Sequence, residues 1–220
     1  MNKKIKIILI SLIILFLIVG ASYLMYSFGI TYKIQGNLQM LPSVTSKDYN
    51  QSDLPVINYV INSSGEKIVN NDVALTVHAT SIYNIKKIEY TNDFKNWVVV
   101  ADNLNSKEID YKIIFKENIN KTIYIRVQNV KGYRSYGYKT VVKIDKEEPK
   151  VTLERLGEKL VIKSTDNVGL SAVQYSNDGV NWIDEDVSGK DVIITKEKTE
   201  YKYIRTVDLL GNISLVKEVK

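Results

Sequence analysis

Catalysis by a serine or cysteine nucleophile needs a base held beside it, and this sequence has few groups able to serve. It contains one histidine, His78, and no cysteine. His78 sits in a β-favouring run, Val73 to Ala79, and Lys163 stands at the matching place in the second half of the chain. That reads as a structural or surface position. No glycine-rich phosphate loop occurs, and no His or Cys cluster has metal-ligand spacing. The expectation is no catalytic residue, no cofactor and no enzyme activity. Carboxylates are the remaining source of chemistry. Asp184-Glu185-Asp186 is the densest set, with Asp178 a strand away, and oxygen-rich loops of this kind can hold calcium. The first half has no equivalent cluster, which favours a solvated acidic turn. No metal is expected, and Asp178, Asp184, Glu185 and Asp186 stand as the calcium candidates.

Two further sets of side chains suit recognition. Trp97 and Trp182 occupy equivalent positions; a shared packing duty in the core is expected, with sugar stacking as the alternative. Gly132-Tyr133-Arg134-Ser135-Tyr136-Gly137-Tyr138 has a plain counterpart in Gly211-Asn212-Ile213-Ser214-Leu215-Val216-Lys217. Tyrosine and arginine on a loop offer large contact area at low entropic cost, with hydrogen-bonding tips. Tyr133, Arg134, Tyr136 and Tyr138 are therefore expected to form a contact surface for a protein or glycan. The alternative is tyrosines packed along an ordinary hairpin.

These groups must be positioned by a fold that is used twice. Ile85 to Trp97 reads IKKIEYTNDFKNW and Leu170 to Trp182 reads LSAVQYSNDGVNW. The two blocks align Tyr90 with Tyr175, Asn92-Asp93 with Asn177-Asp178 and Trp97 with Trp182. A second pair, Tyr124 to Ser135 and Tyr203 to Ser214, aligns Gly132 with Gly211. The two alignments differ in offset, so the first copy carries a longer loop between its blocks. Each copy has seven short runs rich in β-branched and aromatic residues, parted by Asn, Asp and Gly. In the first copy they begin at Val56, Val73, Ile85, Trp97, Ile109, Thr122 and Tyr136. In the second they begin at Lys150, Leu160, Ser171, Trp182, Asp191, Tyr201 and Ile213. No helix is expected after residue 35.

At these residues a resemblance becomes specific. Asp166-Asn167-Val168-Gly169-Leu170, Tyr175-Ser176-Asn177-Asp178-Gly179 with Trp182, and the run from Arg205 to Gly211-Asn212-Ile213-Ser214 resemble the tandem bacterial Ig-like repeats of surface and adhesion proteins. The joint from Val142-Lys143-Ile144-Asp145-Lys146 to Glu148-Pro149-Lys150-Val151-Thr152 is similar to the linker between such repeats. The resemblance covers residues 55–220. The first copy departs from it, with Phe94 where Gly179 stands and Tyr133 where Asn212 stands. It implies an all-β chain of two tandem seven-stranded Ig-like β-sandwiches with an external, often adhesive role, and it implies no ligand. It also places Asp166 and Asp208 in loops near Asp178.

The first residues supply the expected anchor. Lys3, Lys4 and Lys6 are followed by no formal charge until Lys33, and an apolar run of about 20 residues rises roughly 30 Å as a helix, the thickness of a bilayer's hydrocarbon core. The expected order is a short cytoplasmic N-terminus at 1–6 and a transmembrane signal-anchor helix at 7–30. An extracellular tether at 31–54 and Ig-like domains at 55–146 and 147–220 follow. Cleavage after Ala21, which would release a secreted protein, is the competing reading. The net charge of +5 belongs to residues 1–47, which hold five lysines and no acid; residues 48–220 hold 25 basic and 25 acidic residues. A neutral external body argues against a nucleic-acid partner. The functional expectation is a membrane-anchored binding or structural module for protein or cell-envelope interaction. The alternatives are an accessory subunit of a membrane complex and a carbohydrate- or peptidoglycan-binding module.

Overall fold

The computed structural model describes residues 50–197 and 200–219. The expected anchor at 7–30 and most of the tether lie outside the described residues. Among those described, no helix is long and apolar enough to cross a membrane. The described chain is all-β apart from one 3-10 turn, Gln51–Asp53. Eleven strands follow: β1 (Val56–Asn62), β2 (Val73–Thr91), β3 (Val98–Ala101), β4 (Ser106–Phe115), β5 (Ile119–Asn129), β6 (Tyr138–Ile144), β7 (Lys150–Leu156), β8 (Lys159–Ser176), β9 (Ile183–Lys196), β10 (Tyr203–Asp208) and β11 (Lys217–Glu218). One hydrogen-bonded ladder runs β1-β2-β5-β6, with β3 and β4 also on β2. The other runs β11-β10-β8-β7, with β9 on β8. By compactness the chain divides into two units. The first holds residues 50–60, Val77–Tyr111 and Ile123–Lys139, and the second holds Ile61–Thr76, Lys112–Thr122 and 140–219.

The expected seven strands per copy become six and five, because neighbouring runs fuse. β2 joins the runs that begin at Val73 and Ile85, through Thr80-Ser81-Ile82-Tyr83-Asn84. That stretch has no Gly or Pro, so nothing there forces the chain out of extended geometry. β8 joins the runs at Leu160 and Ser171 by bending at Asp166 to Gly169. There Asp166 Oδ1 accepts the N–H groups of Val168 and Gly169 at 2.8 and 2.7 Å, and Gly169 takes a φ of 136°, where a side chain would be strained.

β9 is bent as sharply. Glu185 and Lys196 are eleven residues apart, about 36 Å in a straight strand. Yet Lys196 Nζ lies 2.6 Å from Glu185 Oε2, so the strand doubles back over its own core. Between its halves, the buried Tyr175 hydroxyl donates to Glu185 Oε2 at 2.5 Å, and Lys196 Nζ sits 5.3 Å from the Tyr175 ring. Val151, Leu160, Ile162, Val173 and Ile204 complete the buried cluster beside Tyr175. Each such aliphatic contributes about 1.5–3 kcal/mol by leaving water. In the other ladder Val73, Leu75 and Val77 of β2 and Ile123, Ile125 and Val127 of β5 point inward at every second residue.

Glu185 is desolvated, which pushes its carboxyl up, but hydrogen bonds from Lys196 and Tyr175 outweigh that and hold it below the usual range. The Tyr175 hydroxyl is pushed far up, by burial first and by its hydrogen bond to Glu185 second. A carboxyl depressed in the folded state stabilises above its unfolded pKa and loses that contribution as pH falls through its folded pKa. Glu185→Gln is therefore expected to lower the unfolding free energy by about 1 kcal/mol at pH 7, allowing for solvent screening of a partly exposed pair. The difference from the parent should shrink as pH drops below 4 in urea titrations.

Candidate functional site

Each copy's central turn is organised by one aspartate. Asp93 accepts from Asn96 N at 2.8 Å, Asn96 Nδ2 at 2.7 Å, and Lys95 N and Thr91 Oγ1 at 2.9 Å. Asp178 repeats the pattern with Asn181 N and Val180 N at 2.8 Å, Asn181 Nδ2 at 2.7 Å and Ser176 Oγ at 3.0 Å. These donors, led by the Asn96 and Asn181 backbone N–H groups, hold both carboxyls well below the usual range. The turn delivers a tryptophan onto the outer face of the sheet.

Trp97 lies over the Arg126 guanidinium at 3.5 Å, and Trp182 over that of Arg205 at 4.0 Å. Both indoles are half-buried, so the expected place in the core is corrected: they pack on arginine. The arginines are aimed by the neighbouring strand. Arg126 Nε donates to Glu89 Oε2 at 2.8 Å, and Lys87 Nζ reaches Glu89 Oε1 at 2.6 Å. Arg205 Nε donates to Gln174 Oε1 at 2.6 Å, and Gln174 Nε2 donates to Asp184 Oδ1 at 2.7 Å. Glu89 is 4% exposed. Its burial pushes the carboxyl up, but the Lys87 and Arg126 bonds prevail and hold it below the usual range. Desolvation pulls the Arg126 guanidinium down.

Phe94 departs from the repeat in a physical way. Its φ is 61°, the left-handed region, where Gly179 sits at the matching position with a φ of 75°. A bulky residue there costs on the order of 1–3 kcal/mol. The ring packs 4.1 Å from that of Tyr124.

The tyrosine turn is less open than its composition suggests. Tyr133, Arg134, Tyr136 and Tyr138 are all half-buried. Tyr133 turns toward Tyr83, with ring centroids 6.4 Å apart. Tyr136 and Tyr138 line a pocket of about 120 Å³ with Gln51, Leu54 and Pro55. Gly132 and Gly211 both take the positive φ their turn requires. Asn129, fully buried, holds the turn: its Oδ1 accepts from Lys131 N and Tyr133 N at 3.1 Å, and its Nδ2 donates to the Asp53 carbonyl at 3.0 Å. Asp208 takes that position in the second copy and has no hydrogen to give. Asn212 supplies it, donating to Asp208 Oδ2 at 2.8 Å and to the Asp145 carbonyl at 3.1 Å. Tyr133 and Asn212 thus differ because the donor has moved along the turn.

The acidic candidates are not brought together. Asp178 caps its own turn, Asp184 receives Gln174, and Glu185 faces Lys196 and Tyr175. Asp184 and Asp186 are exposed, while Glu185 between them is half-buried. Among the described residues, no three Asp, Glu, His or Cys side chains are grouped to hold a metal ion. His78 stacks on Tyr59 at 4.8 Å, with Nδ1 3.0 Å from Asp110 Oδ1 and Nε2 3.8 Å from Glu108 Oε1. Tyr90 is half-buried, whereas Tyr175 is buried.

No protein-family description matches the chain, and no curated protein does. Among solved structures it is similar to the fibronectin(III)-like modules of CbhA from Clostridium thermocellum. That match has a TM-score of 0.33 and 17% identity over 73% of this chain and 92% of that one. It is also similar to the chicken interferon gamma receptor alpha chain, with a TM-score of 0.31 and 10% identity over 74% and 96%.

The two arginine stacks differ in what removal would leave behind. Arg126→Ala strips a buried carboxylate of one of its two cations and is expected to cost about 2–4 kcal/mol. Arg205→Ala leaves a neutral amide and should cost about 1 kcal/mol. Adding Glu89→Gln to Arg126→Ala, which copies the second unit, should recover at least half of the loss in chemical denaturation.

Proposed function

We propose that the chain is a non-catalytic binding or structural module, held at a membrane by residues 7–30 and displaying residues 55–146 and 147–220 outside the cell. The reading is supported by what the side chains are engaged in. Asp93 and Asp178 serve turns, Glu185 and Tyr175 the clasp of β9, and Glu89 and Arg126 an arginine stack, while Asp72 pairs with Lys146 and His78 is enclosed by Tyr59, Asp110 and Glu108. The observation that carries it is the contrast between the copies: a shared frame with features confined to one of them. Phe94 is 39% exposed in a strained conformation that glycine fills in the second copy, and strained residues of this kind cluster at functional sites. Tyr136 and Tyr138 line a pocket beside Gln51 and Pro55. A protein or cell-envelope glycan is the partner this surface suits, because aromatic rings and hydroxyl tips supply contact area and directional bonds together. The neutral charge of residues 48–220 gives nucleic acid no electrostatic hold.

The full-length chain with a C-terminal tag should lose the tag to protease added to intact cells. Its binding to isolated cell envelopes should fall at least tenfold with Tyr136→Ala and Tyr138→Ala together, with Tm followed as the control for folding. A protected tag would overturn the topology, and undiminished binding would overturn the tyrosine surface.

A further inference from the structure

Among the described residues, two buried carboxylate oxygens have no hydrogen-bond partner: Asp145 Oδ2 and Asp166 Oδ2. Both residues are in the second compact unit. Asp145 is only 4% exposed, and its other oxygen accepts the Glu147 N–H at 3.0 Å. Asp166 uses its other oxygen for the bend of β8, accepting from Val168 N and Gly169 N. Each carboxylate is thus fixed through one oxygen, with the second left buried. Such an orphan is retained at a cost unless something binds it. The two belong to one locality. Asp145 lines an opening with Glu147 and Asn167, and Asp166 lines an adjoining opening of about 130 Å³ with the same Glu147 and Asn167. That volume accommodates a cation with attached waters, at about 30 Å³ per water.

We infer that Asp145 and Asp166, with the Asn167 amide beside them, form a calcium site. Calcium takes six to eight oxygens and accepts amide and backbone carbonyl oxygens and water alongside carboxylates. Two anchored carboxylates therefore suffice without the group of three that is absent from the described residues. Magnesium suits the place less well, since it demands near-ideal octahedral geometry and sheds water reluctantly. Lys190 lines the Asp145 opening and Lys150 the Asp166 opening. Either amine is the competing source of positive charge. A site with two fixed carboxylates and neighbouring cations belongs at the low-affinity end of calcium modules, with Kd on the order of 10⁻⁴–10⁻³ M. This site is separate from Asp178, which caps its turn, from Asp184, which accepts from Gln174, from Glu185, which serves the clasp, and from the exposed Asp186, and it is independent of the tyrosine surface.

The test is thermal unfolding of the full-length chain in detergent, in EGTA and across a calcium chloride titration to 10 mM, with magnesium chloride in parallel. Calcium should raise Tm with a midpoint between about 0.1 and 1 mM, and magnesium should do so less. Asp166→Asn and Asp145→Asn should each move the calcium midpoint at least tenfold higher, while Asp184→Asn with Asp186→Asn should leave it in place. If Asp145→Asn fails to fold, the partly exposed Asp166 carries the test alone. Equal Tm in EGTA and 10 mM calcium would overturn the site. So would an Asp166→Asn variant that responds to calcium like the parent, or a response abolished by Asp184→Asn with Asp186→Asn.

Discussion

A guanidinium held between an indole face and a side-chain oxygen recurs in both copies, and the outer face of each sheet is arranged around it. Arg126 sits between Trp97 and Glu89, and Arg205 between Trp182 and Gln174. The stack joins three parts of each copy that are distant in sequence: the strand carrying Glu89 or Gln174, the strand carrying the arginine, and the turn that presents the tryptophan. Asp93 and Asp178 make this reproducible, because four donors on one carboxylate leave the turn a single low-energy form. The copies differ in the electrostatics of the stack. Glu89 brings a buried charge that needs Lys87 as well as Arg126, whereas Gln174 is neutral and donates from its amide nitrogen to Asp184. A charge in low dielectric fixes direction strongly and is costly if its partner is lost.

The chain has no disulfide to close its sheets, so polar clasps serve where a covalent bridge is absent. In the second copy Glu185, Lys196 and Tyr175 tie the two halves of β9 across the aromatic edge of the core. Asn129 and the pair Asp208 with Asn212 tie the preceding backbone to the last turn of each copy. Tyr136 and Tyr138 then line the pocket beside Gln51, Leu54 and Pro55, which places the tyrosines of that turn next to the segment leading into the fold.

The repeat and the all-β class were legible because Tyr90 with Tyr175 and Trp97 with Trp182 recur in aligned blocks between Asn, Asp and Gly. Strand number was not legible. A bend within a strand leaves the alternation of side chains intact on both sides, so Val73 to Thr91 reads as two runs although its backbone is one. The tryptophans misled for a related reason. A large aromatic in a small domain suggests the core, but the stack also needs Arg126 and Arg205, and those lie in a different aligned block. Glu89 opposite Gln174 was a usable sign: a charged and a neutral residue at matched positions, each able to accept from arginine. The acidic run at 184–186 drew attention by density, while the buried carboxylate oxygens left without partners among the described residues belong to Asp145 and Asp166, which lie outside that run.

A double-mutant cycle measures the arginine stack most directly. Arg126→Met and Trp97→Leu, made singly and together, keep apolar bulk while removing the cation and the aromatic face. Unfolding free energies should show a coupling of about 1–2 kcal/mol between the two positions. Additive effects, with no coupling beyond experimental error, would contradict the stack as the interaction on which this face is built.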